Sequence, residues 1–310
     1  MKPVVGVIGL GIMGSAMAQA LIDAGYRVVG TDLRAAAGRR LKRAGGEALA
    51  SCTAVAGVAD IVITSLPSVA ALDDVVAEMA PACAALRKSK RPIVIETSTL
   101  PIADKERAMA GLARGGVALL DCPISGTARR LKEGSWTIFV SGDAKACRKA
   151  APVIGVFTRN APNVGAFGNG SRMKFVANHL VAIYNVSVAE SMTFARRMGL
   201  DAQQVWDLFA ASPVVGTGVF RLRGKFMVAR KYLPPTMKVE VWQKDMQVIG
   251  DMARAVDCPV PLFSACAPIY SAAMAQGLGQ HDTASVCEVL DAMAGGRAAR
   301  TLRLRAKRKR

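Results

Sequence analysis

The chain has 310 residues, 52% of them apolar, and its 41 Lys and Arg against 23 Asp and Glu give a formal net charge of +18. That length suggests two domains with a sizeable core, and no window approaches 18 consecutive apolar residues, which excludes a membrane-spanning helix. Seven scattered cysteines without a C-x-x-C, and only His179 and His281 without ligand spacing, argue against a disulfide framework and against a metal site.

The beginning, MKPVVGVIGLG, runs straight into a strand and has no apolar leader with a small-residue cleavage site, so reduced thiols in a cytoplasm are expected. Eight basic and no acidic residues crowd positions 297–310, leaving +10 on the rest. Such a tail reads as a nucleic-acid arm or as a solvated, disordered end. No aromatic residue is interleaved to stack on bases, which favours the solvated end. The remaining positive charge suits an anionic substrate and a phosphate-bearing cofactor.

In chain order, Val4 to Gly9 forms a short apolar run of the buried-strand type and flows into Gly9-Leu10-Gly11-Ile12-Met13-Gly14. Met13, Ala16, Met17, Ala20, Leu21 and Ala24 then recur at helical spacing, and RVVGTD follows as a second strand ending in Asp32. Strand, Gly-x-Gly-x-x-Gly, helix, strand and acid within one unit form a dinucleotide-binding fingerprint. The first glycine permits the tight turn, the second lets a pyrophosphate approach the backbone, and the third lets helix and strand pack closely. Asp32 falls where a carboxylate accepts from ribose hydroxyls and repels a 2′-phosphate. NAD is therefore favoured, although Arg34 two residues on keeps NADP open.

The alternation continues with a helix around Ala54 to Ala59, the strand DIVITSLPS, a further helix and the strand PIVIETSTL. VALLD leads to Cys122-Pro123-Ile124-Ser125-Gly126-Thr127, and WTIFVSG and a strand near Val153 to Thr158 are expected to close the set. Strands alternating with helices imply a parallel sheet, with ligands outside the carboxyl ends of its strands. That rule gathers Leu66, Pro67, Ser98, Thr99, Ser125 and Gly126 at one rim with Gly11.

Beyond Ala161 the pattern turns helical. A run from 171 to 195 is apolar nearly all round and is expected to be buried on several sides. Segments 201–211, 217–229, 238–255, 261–276 and 282–293 follow. The fold class is therefore α/β at first, with a Rossmann-like dinucleotide-binding domain over 1–163. A long interdomain helix then opens an all-α domain over 164–296, and the basic tail occupies 297–310. On the long helix Lys174 and Asn178 lie one turn apart on one face, Asn185 shares that face, and His179 sits about 140° round from Lys174. His179 reads best as a histidine packed or hydrogen-bonded between helices.

The segments GLGIMGSAMAQAL, DCPISG, GNGSRMKFVAN and Lys244-Asp245, in that order over nearly 290 residues, resemble the β-hydroxyacid dehydrogenase family. That family includes 3-hydroxyisobutyrate and tartronate semialdehyde enzymes and, more distantly, 6-phosphogluconate dehydrogenase. The resemblance implies hydride transfer between a nicotinamide and the CH–OH group of a small β-hydroxy acid or its semialdehyde, with a homodimer or homotetramer built through the all-α domain. It makes Lys174 the catalytic residue and Asn178 its substrate-orienting partner. Ser125 and Gly126, with Thr127 beside them, match the loop that holds the substrate carboxylate. Leu66, Pro67, Thr99 and Lys244 match cofactor contacts, alongside Gly9, Gly11, Ile12, Met13, Gly14 and Asp32. A lysine amine can accept the hydroxyl proton only if its pKa falls from about 10.4 towards about 7–8, which an apolar cleft supplies.

Two departures stand out. Thr127 replaces the second glycine of the usual Ser-Gly-Gly, and His179 replaces a second asparagine. A β-carbon and hydroxyl at 127 remove room beside the carboxylate and offer a hydrogen bond, which points towards a more hydroxylated acid such as an aldonate. Lys244 has a plainer reading as a surface lysine paired with Asp245 or a neighbour. Two other functions stay open: an imine reductase, against which Lys174 argues, and a non-enzymatic cofactor-binding module aided by the basic tail.

Overall fold

The computed structural model describes residues 2–128, 131, 134 and 136–296, and the basic tail lies outside the described residues. Six parallel strands form the first sheet: β1 (Val5–Ile8), β2 (Val28–Thr31), β3 (Glu47–Ala48), β4 (Ile61–Thr64), β5 (Ile93–Glu96) and β6 (Ala118–Asp121). Their order is β3-β2-β1-β4-β5-β6, so the direction of winding reverses between β1 and β4. A doubly wound sheet opens its ligand crevice at that reversal, beyond the carboxyl ends of the strands.

Crossover helices cover both faces: α1 (Ile12–Asp23), α2 (Ala35–Arg43), α3 (Cys52–Val58), α4 (Val69–Ala84), α5 (Ile102–Arg114) and α6 (Ala144–Ile154). Successive strand residues feed opposite cores, as a period of two demands. Val5, Val7, Ile61 and Ile63 pack with Met17, Leu21 and Leu41, whereas Ile8, Val29, Val62 and Val94 pack with Val55, Leu72 and Met79. Ser51, Ser68 and Asp143 cap the N-termini of α3, α4 and α6 through their side chains. The N-terminus of α1 has no side-chain cap.

The end of the sheet differs from the sequence reading. Val153 and Ile154 belong to α6, and the chain turns through 155–157, so no strand forms there. The apolar run comes from the buried side of a helix end, with Val153, Ile154 and Phe157 all in the core; a short apolar run does not distinguish the two cases by periodicity. WTIFVSG contributes only β8 (Thr137–Ile138), which pairs antiparallel with β7 (Ile124–Ser125) outside the parallel sheet. Isolated bridges join Asp121 to Ser141 and Val140 to Asn163. The two-residue β3 and the helix α2, whose buried face rests on Ala37 and Leu41 alone, were not read in advance.

The helical part consists of α7 (Asn169–Met198), α8 (Ala202–Ala210), α9 (Gly218–Ala229), α10 (Val239–Ala255), α11 (Pro261–Ala275), a 3-10 turn over Thr283–Ser285 and α12 (Val286–Met293). Two compact units divide within α7, the first ending at Val176 and the second beginning at Ala177. On α7, expected to be buried on several sides, Phe175, Ala182, Val186, Ala189 and Met192 are buried, while Met173, Val176, Leu180, Tyr184, Phe194 and Met198 are exposed along one stripe. Among the described residues no helix is long and apolar enough to cross a membrane, and no group of three or more His, Cys, Asp or Glu could hold a metal ion.

Candidate active site

The glycine loop joins β1 to α1 at the reversal point. Gly9 has a positive φ of 87°, and a β-carbon on Gly14 would stand 1.9 Å from the Gly9 carbonyl oxygen. Both positions therefore admit only glycine. In front of Gly11, by contrast, a β-carbon would meet nothing nearer than an Arg34 nitrogen at 3.8 Å, so the space is open. An open backbone concavity facing the uncapped amides of Ile12 and Met13 is what a pyrophosphate needs, and the residues present fit a dinucleotide.

Asp32 follows β2 at the same rim. Its Oδ2 accepts from the Leu10 amide (2.8 Å), and its Oδ1 accepts from the Arg34 amide (2.8 Å) and Arg34 Nε (3.1 Å). Burial alone raises the carboxyl, but the Arg34 and Leu10 hydrogen bonds outweigh it and leave Asp32 below its ordinary range. The carboxylate is thus ionised and fixed, while the Arg34 side chain folded onto it is exposed.

Leu66 leaves β4 beside the loop, and its amide donates to the Ser98 hydroxyl (2.8 Å). The loops after β4 and β5 are thereby tied together, with exposed Pro67 on one and half-buried Thr99 on the other. After β6 the chain passes through Cys122 and Pro123 to Ser125, Gly126 and Thr127. A β-carbon on Gly126 would lie 2.3 Å from Trp136 Cδ1, and the Trp136 indole donates to the Thr127 carbonyl (2.7 Å). A buried tryptophan thus floors the loop and fixes its backbone. The Thr127 hydroxyl oxygen is itself buried without a hydrogen-bond partner.

Lys174 and Asn178 are both buried, one turn apart on α7, at 8% and 4% exposure. Asn178 Nδ2 donates to Asp245 Oδ2 (2.9 Å), and Lys244 Nζ stands 3.2 Å from Asp245 Oδ1. Asp245, itself buried, thus orients the Asn178 amide and engages Lys244. Sequence reading named Asp245 as part of the motif and as a partner of Lys244, a pairing the structure shows, but missed its link to Asn178, which spans 67 residues. His179 stacks on Phe263, ring centroids 5.3 Å apart, in keeping with a packing role. Asn185 donates to the Tyr270 hydroxyl and the Thr283 carbonyl, which makes it a core-fastening residue.

Two family models match the chain: the NAD binding domain of 6-phosphogluconate dehydrogenase over residues 4–166, and the NAD-binding domain of NADP-dependent 3-hydroxyisobutyrate dehydrogenase over residues 168–290. L-threonate dehydrogenase of Cupriavidus necator is 31% identical over 92% of this chain and 95% of its own length. 3-Sulfolactaldehyde reductase of Escherichia coli is 26% identical over 93% of this chain and 96% of its own. The crystal structure of 3-hydroxyisobutyrate dehydrogenase from Salmonella typhimurium superposes with a TM-score of 0.81 at 28% identity, covering 93% of this chain and all of that one. With its doubly wound sheet, open glycine loop and matches along nearly its whole length, this chain belongs to the β-hydroxyacid dehydrogenase family, NAD(P)-dependent oxidoreductases acting on small hydroxy acids.

Proposed function

We propose that the chain oxidises the CH–OH group of a four-carbon aldonate of the L-threonate type with NAD, using Lys174 as general base. The observation that carries this reading is the burial of Lys174 on α7, with the amide of Asn178 one turn beyond it. A lysine takes a proton only as the uncharged amine. The nicotinamide, when bound, supplies the acceptor for the hydride. Lys174 Nζ receives the hydroxyl proton as the hydride leaves; in the reverse direction its ammonium returns the proton and stabilises the developing alkoxide. Asn178 holds the substrate hydroxyl or carboxylate without competing for the proton, and Ser125 and Gly126 receive the carboxylate.

The aldonate assignment draws on the partnerless Thr127 hydroxyl, which a substrate hydroxyl would satisfy, and on the name of the Cupriavidus relative. The ionised carboxylate of Asp32 at the end of β2 supports NAD over NADP, and the family resemblance makes Lys244 a cofactor contact. The exposed Leu180, Tyr184, Phe194 and Met198 support a homodimer or homotetramer built through the helical part. Seven unpaired cysteines, six of them buried, suit the cytoplasm.

The test is a panel of L-threonate, 3-hydroxyisobutyrate and other β-hydroxy acids with NAD and with NADP, run on the parent and on Lys174→Ala. Removing the general base lowers kcat by about 100-fold or more on the best acid. An alanine variant that keeps the parental rate would sink the mechanism, and preference for 3-hydroxyisobutyrate over L-threonate would sink the substrate assignment.

A further inference from the structure

Glu96 and Asp121 end adjacent strands and are register partners, so two carboxylates lie side by side at the sheet rim, both fully buried. Two neighbouring anions withdrawn from water are costly unless a cation is shared between them. Lys105 of α5 supplies it, fully buried, with Nζ 2.6 Å from Glu96 Oε2 and 2.8 Å from Asp121 Oδ1. Burial alone lowers the Lys105 pKa, but the two carboxylates outweigh it and hold the ammonium protonated.

The outward contacts of this triad reach the predicted site on three sides. Glu96 Oε1 accepts from the Ser98 amide (2.9 Å), and the Ser98 hydroxyl in turn receives the Leu66 amide, so this arm ends in the loops assigned to the cofactor. Asp121 directly precedes the 122–127 loop assigned to the substrate carboxylate. Its Oδ2 accepts from the Ser171 amide (2.7 Å) and its Oδ1 from the Ser171 hydroxyl (2.8 Å). The Gly170 amide donates to Ser141, whose hydroxyl donates back to the Asp121 carbonyl. Asp121 therefore does for α7 what a capping carboxylate does from within a helix, satisfying a first-turn amide with a favourable charge at the positive end. Ser171 lies three residues before Lys174, so whatever fixes the first turn also fixes the direction of the lysine.

We propose that Asp121 is a positioning residue for the reaction: its carboxylate grips Ser171 and sets where Lys174 points, and Lys105 and Glu96 lock that carboxylate to the sheet rim. The proposal rests on the reading of Lys174 as proton acceptor. Asp121→Asn keeps the size and one acceptor but removes the charge and turns an amide N–H2 towards Ser171 or Lys105. Ser171→Ala removes only the hydroxyl donor and keeps the backbone contact.

Both variants are assayed as full-length protein with NAD and L-threonate, or the panel acid that the parent turns over fastest. Misplacing the amine by a fraction of an ångström to one ångström lowers kcat about 10- to 100-fold in Asp121→Asn and about 3- to 10-fold in Ser171→Ala. The dissociation constant for NAD stays within about twofold, and the solvent deuterium isotope effect on kcat rises as proton transfer becomes the slow step. Parental kcat per NAD-binding site and a parental isotope effect in both variants, whatever happens to Tm, would overturn the proposal. Should Asp121→Asn fail to fold, Ser171→Ala decides alone. Should Lys174→Ala keep its rate, the reading of the lysine fails separately. Amide hydrogen exchange at residues 170–174 of Ser171→Ala or Asp121→Asn then decides the anchoring: faster exchange confined to that turn is expected, and unchanged protection refutes it.

Discussion

The sharpest quantitative consequence concerns Asp32. Replacing it with asparagine keeps the shape and one acceptor but removes the charge that the proposed site sets against the ribose. An NADP 2′-phosphate seated about 5 Å from the carboxylate carries up to about −2, and at an effective dielectric near 60 the repulsion is about 2 kcal/mol, or roughly 40-fold. Asp32 is half-buried and Arg34 beside it is exposed, so a deep-interior dielectric would overstate the effect. Weakening a charge-assisted hydrogen bond to the ribose of NAD adds about 1 kcal/mol in the same direction. Asp32→Asn also loosens Arg34, which now holds the carboxylate through its Nε and, at 3.2 Å, its Nη2; a released guanidinium can turn to the phosphate. The ratio of NADP to NAD efficiency should therefore rise about 30- to 300-fold. Fluorescence titration of both reduced cofactors measures this without any substrate, and kcat/KM with a good acid provides the second reading. A parent that already prefers NADP, or a shift below about threefold, would refute the reasoning.

Two further expectations follow from packing. Gly126→Ala drives a β-carbon into Trp136, whose ring cannot withdraw without losing its bond to the Thr127 carbonyl; overpacking of this kind costs about 1–3 kcal/mol, and displacement of the loop should raise KM for the acid about tenfold with NAD binding unaltered. An unchanged KM would show that the loop does not touch substrate. Phe194→Glu places a charge on the exposed stripe of α7, and sedimentation velocity should show the parent as a dimer or larger and the variant shifted towards monomer; a monomeric parent would end the oligomer reading.

Legibility tracked the range of the interactions involved. The glycine loop and Asp32 announce themselves because one βαβ unit holds all their determinants within about thirty residues. Lys174 and Asn178 were placed on one face by helical period alone, and the structure keeps both buried on α7. The strand expected near Val153 failed because a buried helix end and a buried strand share the same short apolar run. The stripe on α7 was misjudged for a related reason: apolar residues all round a helix do not say which of them the fold leaves exposed.

The sequence by itself carried the alternation of strands and helices up to β6, the dinucleotide fingerprint and the family resemblance, and it singled out Lys174 as the candidate base. Only the tertiary structure could bring Glu96, Lys105, Asp121 and Ser171 into one buried cluster, or set Asp245 against Asn178. Lys105 stands on a helix otherwise amphipathic, and as a sequence letter it is one of 41 basic residues. Its partners lie 9 residues before it and 16 after it, on two different strands, and local periodicity carries no information about which strand ends become neighbours. That choice follows from sheet order and register, and burial then turns an ordinary set of charges into a cluster whose members must be paired.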